Sequence, residues 1–322
     1  MITTATILSG IAQGLIWAIL TLGVYLTFRI LDIADLTVEG TFPLGAAVTV
    51  VLINTGMSPA LAMLCAVLAG AAAGFVTGFL HTIFQIPAIL SGILTMIALY
   101  SVNIGIMSDK ATVALEQPSI KTWMLSLLPE GTVSNTVSII LGTVFCLLIV
   151  ALLYYFFGTE IGCAVRATGS NQHMARSLGV KTDRIIILGL MISNALVALS
   201  GGLIAQLDYG SALVTMGQGT IVIGLASVII GEVIFIRKDM NFALKLLAII
   251  AGAVIYRTVI ACALTFSFLK GTDLKIITAV IVAFALALPV LQQKSAERKL
   301  RRENAKKYDA LITQALGGET HA

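Results

Sequence analysis

The chain has 322 residues, 58% hydrophobic and 11% charged, with a formal net charge of +4 at pH 7 and a mean hydropathy of +1.01. A soluble domain carries roughly 25% charged residues, so this composition excludes a soluble globular fold. Several apolar runs reach the roughly 20 residues that cross a bilayer as a helix, and the sequence lacks the short alternating segments of a β-barrel.

The predicted fold class is therefore an all-α polytopic membrane protein with about 8–10 transmembrane segments. The opening Met-Ile-Thr-Thr-Ala-Thr has no basic region of the kind that precedes a cleaved signal, so the first run, about residues 7–28, is expected to stay in the membrane. Residues 31–45 then set Asp32, Asp35 and Glu39 beside Gly40, Pro43 and Gly45 and lead straight into apolar sequence. Acids beside helix breakers at membrane depth point to a broken or re-entrant helix, tolerated only where backbone lines a cavity or is buried in protein. A short interfacial loop before an ordinary span is the alternative.

The next spans fall at about 59–80 and 87–107. The first carries Gly70, Gly74 and Gly78 on one face, a G-x-x-x-G pattern that lets helices approach closely; internal packing is expected there ahead of a dimer face. Residues 108–133 are polar, and Ile120, Trp123, Met124 and Leu127 predict a short helix lying on the membrane surface. Further spans are predicted at about 135–157, 185–206, 218–236, 241–263 and 273–292. The transmembrane domain covers 1–292, and a basic tail covers 293–322. Segments 31–54 and 207–230 both open on Leu-Asp, pass through a polar glycine-bearing stretch and turn apolar, a hint of the internal repeats found in transporters.

Between two of these spans lies the polar loop 158–184. Ser170 or Asn171 can cap a helix start, Gly179 stands where a left-handed C-terminal residue is wanted, and Met174, Ala175 and Leu178 form a narrow apolar face flanked by His173 and Arg176. A helix this short is unstable alone and suits docking into a partner's groove; an ordinary loop with a chance helical turn is the alternative. Arg166, Arg176, Lys181 and Arg184 outnumber Glu160 and Asp183, so the loop is expected in the cytoplasm. Four spans later the basic tail falls on the same side. Five simple spans before the loop put the N-terminus outside, whereas a broken or re-entrant segment at 31–45 would return it to the cytoplasm.

No chemistry of an enzyme is visible. The dipeptide Gly-Lys does not occur, so the chain has no P-loop for ATP. The four cysteines and three histidines have no metal-ligand spacing, and neither a catalytic nor a metal site is expected. Among ionisable residues in the later spans, Glu232 is expected to pair with Arg237 or Lys238, and Arg257 to snorkel outward. Asp35, Glu39, Asn103, Asn194 and Gln206 form the candidate path for a small polar solute; for each neutral member, Asn103, Asn194 and Gln206, a helix–helix hydrogen bond is expected ahead of a ligand contact.

Gly162–Val180, with its Arg-Ala-x-Gly-x-Asn run, its Ala175-Arg176 pair and Leu178-Gly179-Val180, resembles the cytoplasmic loop of ABC-importer permeases of the branched-chain amino acid and ribose type. Ile30–Gly45 looks like that family's acidic, glycine-bearing segment, and Gly217–Gly231 like its glycine-rich later helix. The most similar subset is the one assigned to tryptophan/tyrosine or uncharacterised substrates. The resemblance implies a bacterial inner-membrane subunit working by alternating access, with Ser170–Gly179 as the coupling helix for separate ATPase subunits. It also implies ATP and Mg bound by those subunits with no cofactor of its own, an extracytoplasmic substrate-binding protein, a second permease copy, and no nucleic-acid partner. Sugar members of the family show Gly-Gly where this chain has Gly231-Glu232, which disfavours a sugar. On the residues alone, a stand-alone secondary transporter of a small polar solute remains the alternative.

Overall fold

The computed structural model describes residues 4–127, 134–236 and 240–265, with isolated positions beyond. The predicted Arg237-Lys238 turn and the basic tail, but for Arg301, lie outside the described residues, as does most of the span at 273–292. Eleven helices are described: α1 Thr4–Tyr25, α2 Val38–Asn54, α3 Pro59–Thr82, α4 Ala88–Ile106, α5 Ile120–Leu127, α6 Ser134–Gly158, α7 Glu160–Ser170, α8 Gln172–Ser177, α9 Thr182–Ile204, α10 Thr220–Phe235 and α11 Phe242–Leu264. Two three-residue strands, β1 Thr112–Ala114 and β2 Ser211–Leu213, pair antiparallel. Seven described helical segments are long and apolar enough to cross a membrane, and α2 is a shorter apolar helix. The all-α polytopic expectation holds.

The spanning helices are apolar all round, as helices in a membrane or a buried bundle must be. α1 is the central post: every residue from Ile16 to Thr27 is buried, between α6, α9, α10 and α11. The glycines of α3 face α9. A methyl added at Gly74 would overlap the Leu190 carbonyl, and one at Gly78 would sit 2.9 Å from the Ile187 Cα. The G-x-x-x-G face is thus spent on internal packing. Gly45 of α2 meets Ala198 of α9 just as closely, so α2, α3 and α9 form a tight three-helix slab.

Two hydrogen bonds mark the ends of the bundle. Gln13 Nε2 donates to Asp208 Oδ1 at 3.2 Å, near the close of α9, and Arg29 pairs with Glu232 at 2.7 Å near the close of α10. α1 therefore runs toward the end that carries α7 and α8, and Thr4 lies at the opposite end with β1, β2 and α5. Glu232 pairs with Arg29, 203 positions away in the chain, and only folding brings the two together; the expected partners Arg237 and Lys238 lie outside the described residues. Arg257 turns inward, its guanidinium 3.6 Å from the Trp17 ring centroid, in place of the expected outward snorkel.

The expected break after α1 is real. α1 widens into a π turn, Leu26–Ile30, and residues 31–37 form an irregular link buried at Leu31, Asp35 and Thr37. α2 begins inside the bundle yet continues to the far end, where Asn54 bonds the Ala114 carbonyl and the Glu116 N–H. It counts as a crossing, so the break leaves the parity of the first half unchanged. The suspected repeat also has a structural counterpart. α9 widens into a π turn, Ala205–Tyr209, and an irregular link leads to the shorter α10. The two units run in opposite directions. The Leu-Asp pairs themselves are out of register, since Asp32 follows its π turn while Asp208 lies within one.

Substituting valine for Gly74 forces two backbones apart, an overpacking that costs about 1–3 kcal/mol or more. Gly74→Val is expected to lower the thermal unfolding midpoint of the detergent-solubilised protein clearly. Gly105→Ala, where a methyl meets nothing within 4 Å, is expected to leave it unchanged or slightly raised.

Candidate functional site

The loop end is built on two short helices. Thr159 caps α7 by accepting from the Gly162 N–H, and Asn171 caps α8 by accepting from the Met174 N–H at 3.0 Å. Of the two predicted caps, Asn171 is the one used; Ser170 closes α7. Gly179 takes φ +86°, and its N–H and that of Val180 bond the Arg176 and Ala175 carbonyls, closing α8. Arg176 donates to the Thr182 hydroxyl at 2.9 Å and to Asp183 at 2.8 Å, which ties α8 to the first turn of α9. Both members of the Arg176–Asp183 pair are 58% exposed, so it orients more than it stabilises. The apolar face divides: Ala175 is 2% exposed, while Met174 and Leu178 are 63% and 73% exposed. His173 lines a cavity of about 630 Å³ with Asp32, His81 and Thr168.

At the broken centre, the link before α2 must satisfy its backbone without water. Asp35 Oδ1 accepts from the Thr37 N–H at 2.9 Å, and Asp35 Oδ2 accepts from Asn194 Nδ2 at 2.7 Å. Asn194 Oδ1 in turn accepts from the Thr41 hydroxyl at 2.8 Å. A chain of hydroxyls, Thr37, Thr77 and Thr95, joins α3 and α4 to the same point. Asp35 is 1% exposed, and the bonds from Thr37 and Asn194 satisfy both of its carboxylate oxygens. Asp35 and Asn194 are thus one network that holds α2 on α9.

Glu39 is one turn further on. Its Oε1 accepts from the Gly219 N–H at 3.0 Å, at the start of α10. The amino ends of the two broken helices therefore meet. Pro43, four residues after Glu39, has no N–H for the Glu39 carbonyl, and Gly217 packs directly over that carbonyl, where any Cβ would collide. Gly219 itself has φ +81°. Glu39, Pro43, Met96, Tyr100, Asn103 and Gln218 line a cavity of about 410 Å³. Asn103 Nδ2 donates to the Gly40 carbonyl at 3.2 Å, and its Oδ1 is buried with no partner.

The five candidate path residues are thus divided. Glu39 and Asn103 share the cavity, and Asp35 with Asn194 lies behind it as a brace. Gln206 is remote: its Oε1 accepts from the Ile120 N–H and so holds the surface helix α5 onto the end of α9, beside Lys121 bonded to the Leu207 carbonyl. Tyr100 and Met96 were missed at the level of sequence. The signal existed, because Met96, Tyr100 and Asn103 recur at i, i+4 and i+7 and so share one face of α4.

The family model for the branched-chain amino acid transport system / permease component matches residues 6–291. The chain is 40% identical over 304 residues to a tyrosine transport system permease protein of Clostridioides difficile, covering 94% of this chain and 98% of that one. It is 35% identical over 283 residues to an uncharacterized protein of Rickettsia prowazekii, covering 87% and 96%. An autoinducer 2 import system permease protein of Photorhabdus laumondii is 28% identical over 71% of this chain and 66% of its own length. A match that runs through both broken helices and the capped loop covers every element described above, and the chain belongs to the branched-chain amino acid transport system permease family, as the transmembrane permease component of an ABC importer.

Proposed function

We propose that this permease imports an amino acid and that α8 is the surface on which an ATPase subunit seats. Family membership sets it among ATPase-driven importers and apart from stand-alone secondary transporters. The observation that carries the docking reading is the exposure of Met174 and Leu178 on a helix capped at both ends. Large apolar side chains held out on an ordered turn are matched to an apolar groove on a partner. A push on α8 passes through Arg176 to Thr182 and Asp183, and so into α9. α9 holds the broken centre through Asn194, and α1 through Ser193 and Ser200, which donate to the Gly23 and Ile16 carbonyls. One rigid helix thus joins the loop to the cavity, a geometry suited to alternating access.

In this reading ATP and Mg stay with the ATPase subunits, and an extracytoplasmic binding protein delivers the solute. A second permease copy completes the pathway beside the cavity of Glu39 and Asn103. The loop and the basic tail face the cytoplasm, in keeping with the excess of Lys and Arg; β1, β2 and α5 then face outward. The tyrosine permease among the relatives supports an amino acid over a sugar.

The double substitution Met174→Asp, Leu178→Asp is expected to cut uptake in proteoliposomes at least tenfold while the reconstituted ATPase subunit still hydrolyses ATP. Undiminished uptake would remove the docking role. For orientation, Lys181→Cys is expected to react with a membrane-impermeant maleimide only in inside-out vesicles, and Glu116→Cys in whole cells; the opposite pattern reverses the assigned sides.

A further inference from the structure

The cavity of about 410 Å³ has a lopsided chemistry. Among the described residues that line it, Glu39 is the one charged group and none is Lys, Arg or His. A single backbone N–H, from Gly219, bonds the carboxylate, which leaves a net negative charge facing the space. Beside it is Asn103, 1% exposed. The Gly40 carbonyl needs a donor, which fixes the amide with Nδ2 toward Gly40 and Oδ1 as the orphan. A buried acceptor without a donor is costly, and buried acids within a membrane protein mark solute pathways. The Tyr100 ring and Met96 complete the wall with surfaces favourable to a cation. The volume lies within the range of small-molecule sites, about 300–1,000 Å³.

We propose that this cavity recognises the ammonium group of the transported solute, with Glu39 supplying the counter-charge and Asn103 Oδ1 a neutral acceptor. The inference rests on the amino-acid reading above and narrows it: the amine is required, and the cavity selects it independently of the binding protein. An ammonium has three donors and one positive charge, which matches one carboxylate oxygen, the orphaned Asn103 oxygen and the Tyr100 face. A solute without the amine would leave both acceptors unpaired and the charge uncompensated, and charge-assisted bonds are the strong ones.

The test uses the permease purified with its ATPase subunit in lipid nanodiscs, without the binding protein, and radiolabelled L-tyrosine as probe. Tyramine, which keeps the amine and lacks the carboxylate, is expected to displace the probe. 3-(4-Hydroxyphenyl)propionate, which lacks the amine, is expected to need a tenfold or higher concentration. Glu39→Gln keeps an acceptor for the Gly219 N–H, so the variant should still fold and purify as the intact complex with its ATPase subunit while L-tyrosine binding weakens tenfold or more. Equal displacement by the propionate, or unweakened binding by Glu39→Gln, overturns the inference alone. Absence of binding by the wild type to L-tyrosine and to each of the other proteinogenic L-amino acids overturns the amino-acid reading on which it stands.

Discussion

Two helices of this protein start inside the bundle, and their first backbone N–H groups have no water to bond. Each unsatisfied group in such a medium costs several kcal/mol. The structure answers with carboxylates: Asp35 takes the Thr37 N–H before α2, and Glu39 takes the Gly219 N–H at the start of α10. Negative charge at a helix amino end is favourable, and here it also replaces the missing solvent. The surrounding bonds of Asn194 and of Thr37, Thr41, Thr77 and Thr95 follow from the need to hold those carboxylates in place.

That arrangement depends on close backbone approach. Gly217 sits over the Glu39 carbonyl, Gly45 over Ala198, and Gly74 over Leu190. In lipid no hydrophobic force drives helices together, so contact area and hydrogen bonds must do it. Glycine faces bring α2 and α3 onto α9, and the polar bonds then lie at short range. Function inherits the result: α9 is at once the helix braced by Arg176 at the loop end and the helix bonded to Asp35 at the centre.

Much of this was legible in the chain. Helix positions followed from apolar runs long enough to cross a bilayer, and the break near 31–45 from acids set beside Gly and Pro. The capped helix at 171–179 was readable because caps are local: Asn171 and Gly179 act on backbone groups a few residues away. Gln206 was grouped with Glu39 and Asn103 because polarity alone says nothing of depth, yet it ended at the far end holding α5. The Arg29–Glu232 pair was not foreseen, since distance along the chain was the only distance available.

The sequence by itself determined which of the described stretches are long and apolar enough to cross a membrane, where a helix must break and where a short capped helix must form, because each depends on composition or on contacts within a turn or two. Only the tertiary structure decided that α2 runs on to the far end and so leaves Thr4 opposite the loop, that Arg29 meets Glu232, and that the amino ends of α2 and α10 face each other across Glu39 and Gly219. Those outcomes join residues up to 203 positions apart. They follow from which glycine faces fit together, a question of shape that the linear pattern does not encode.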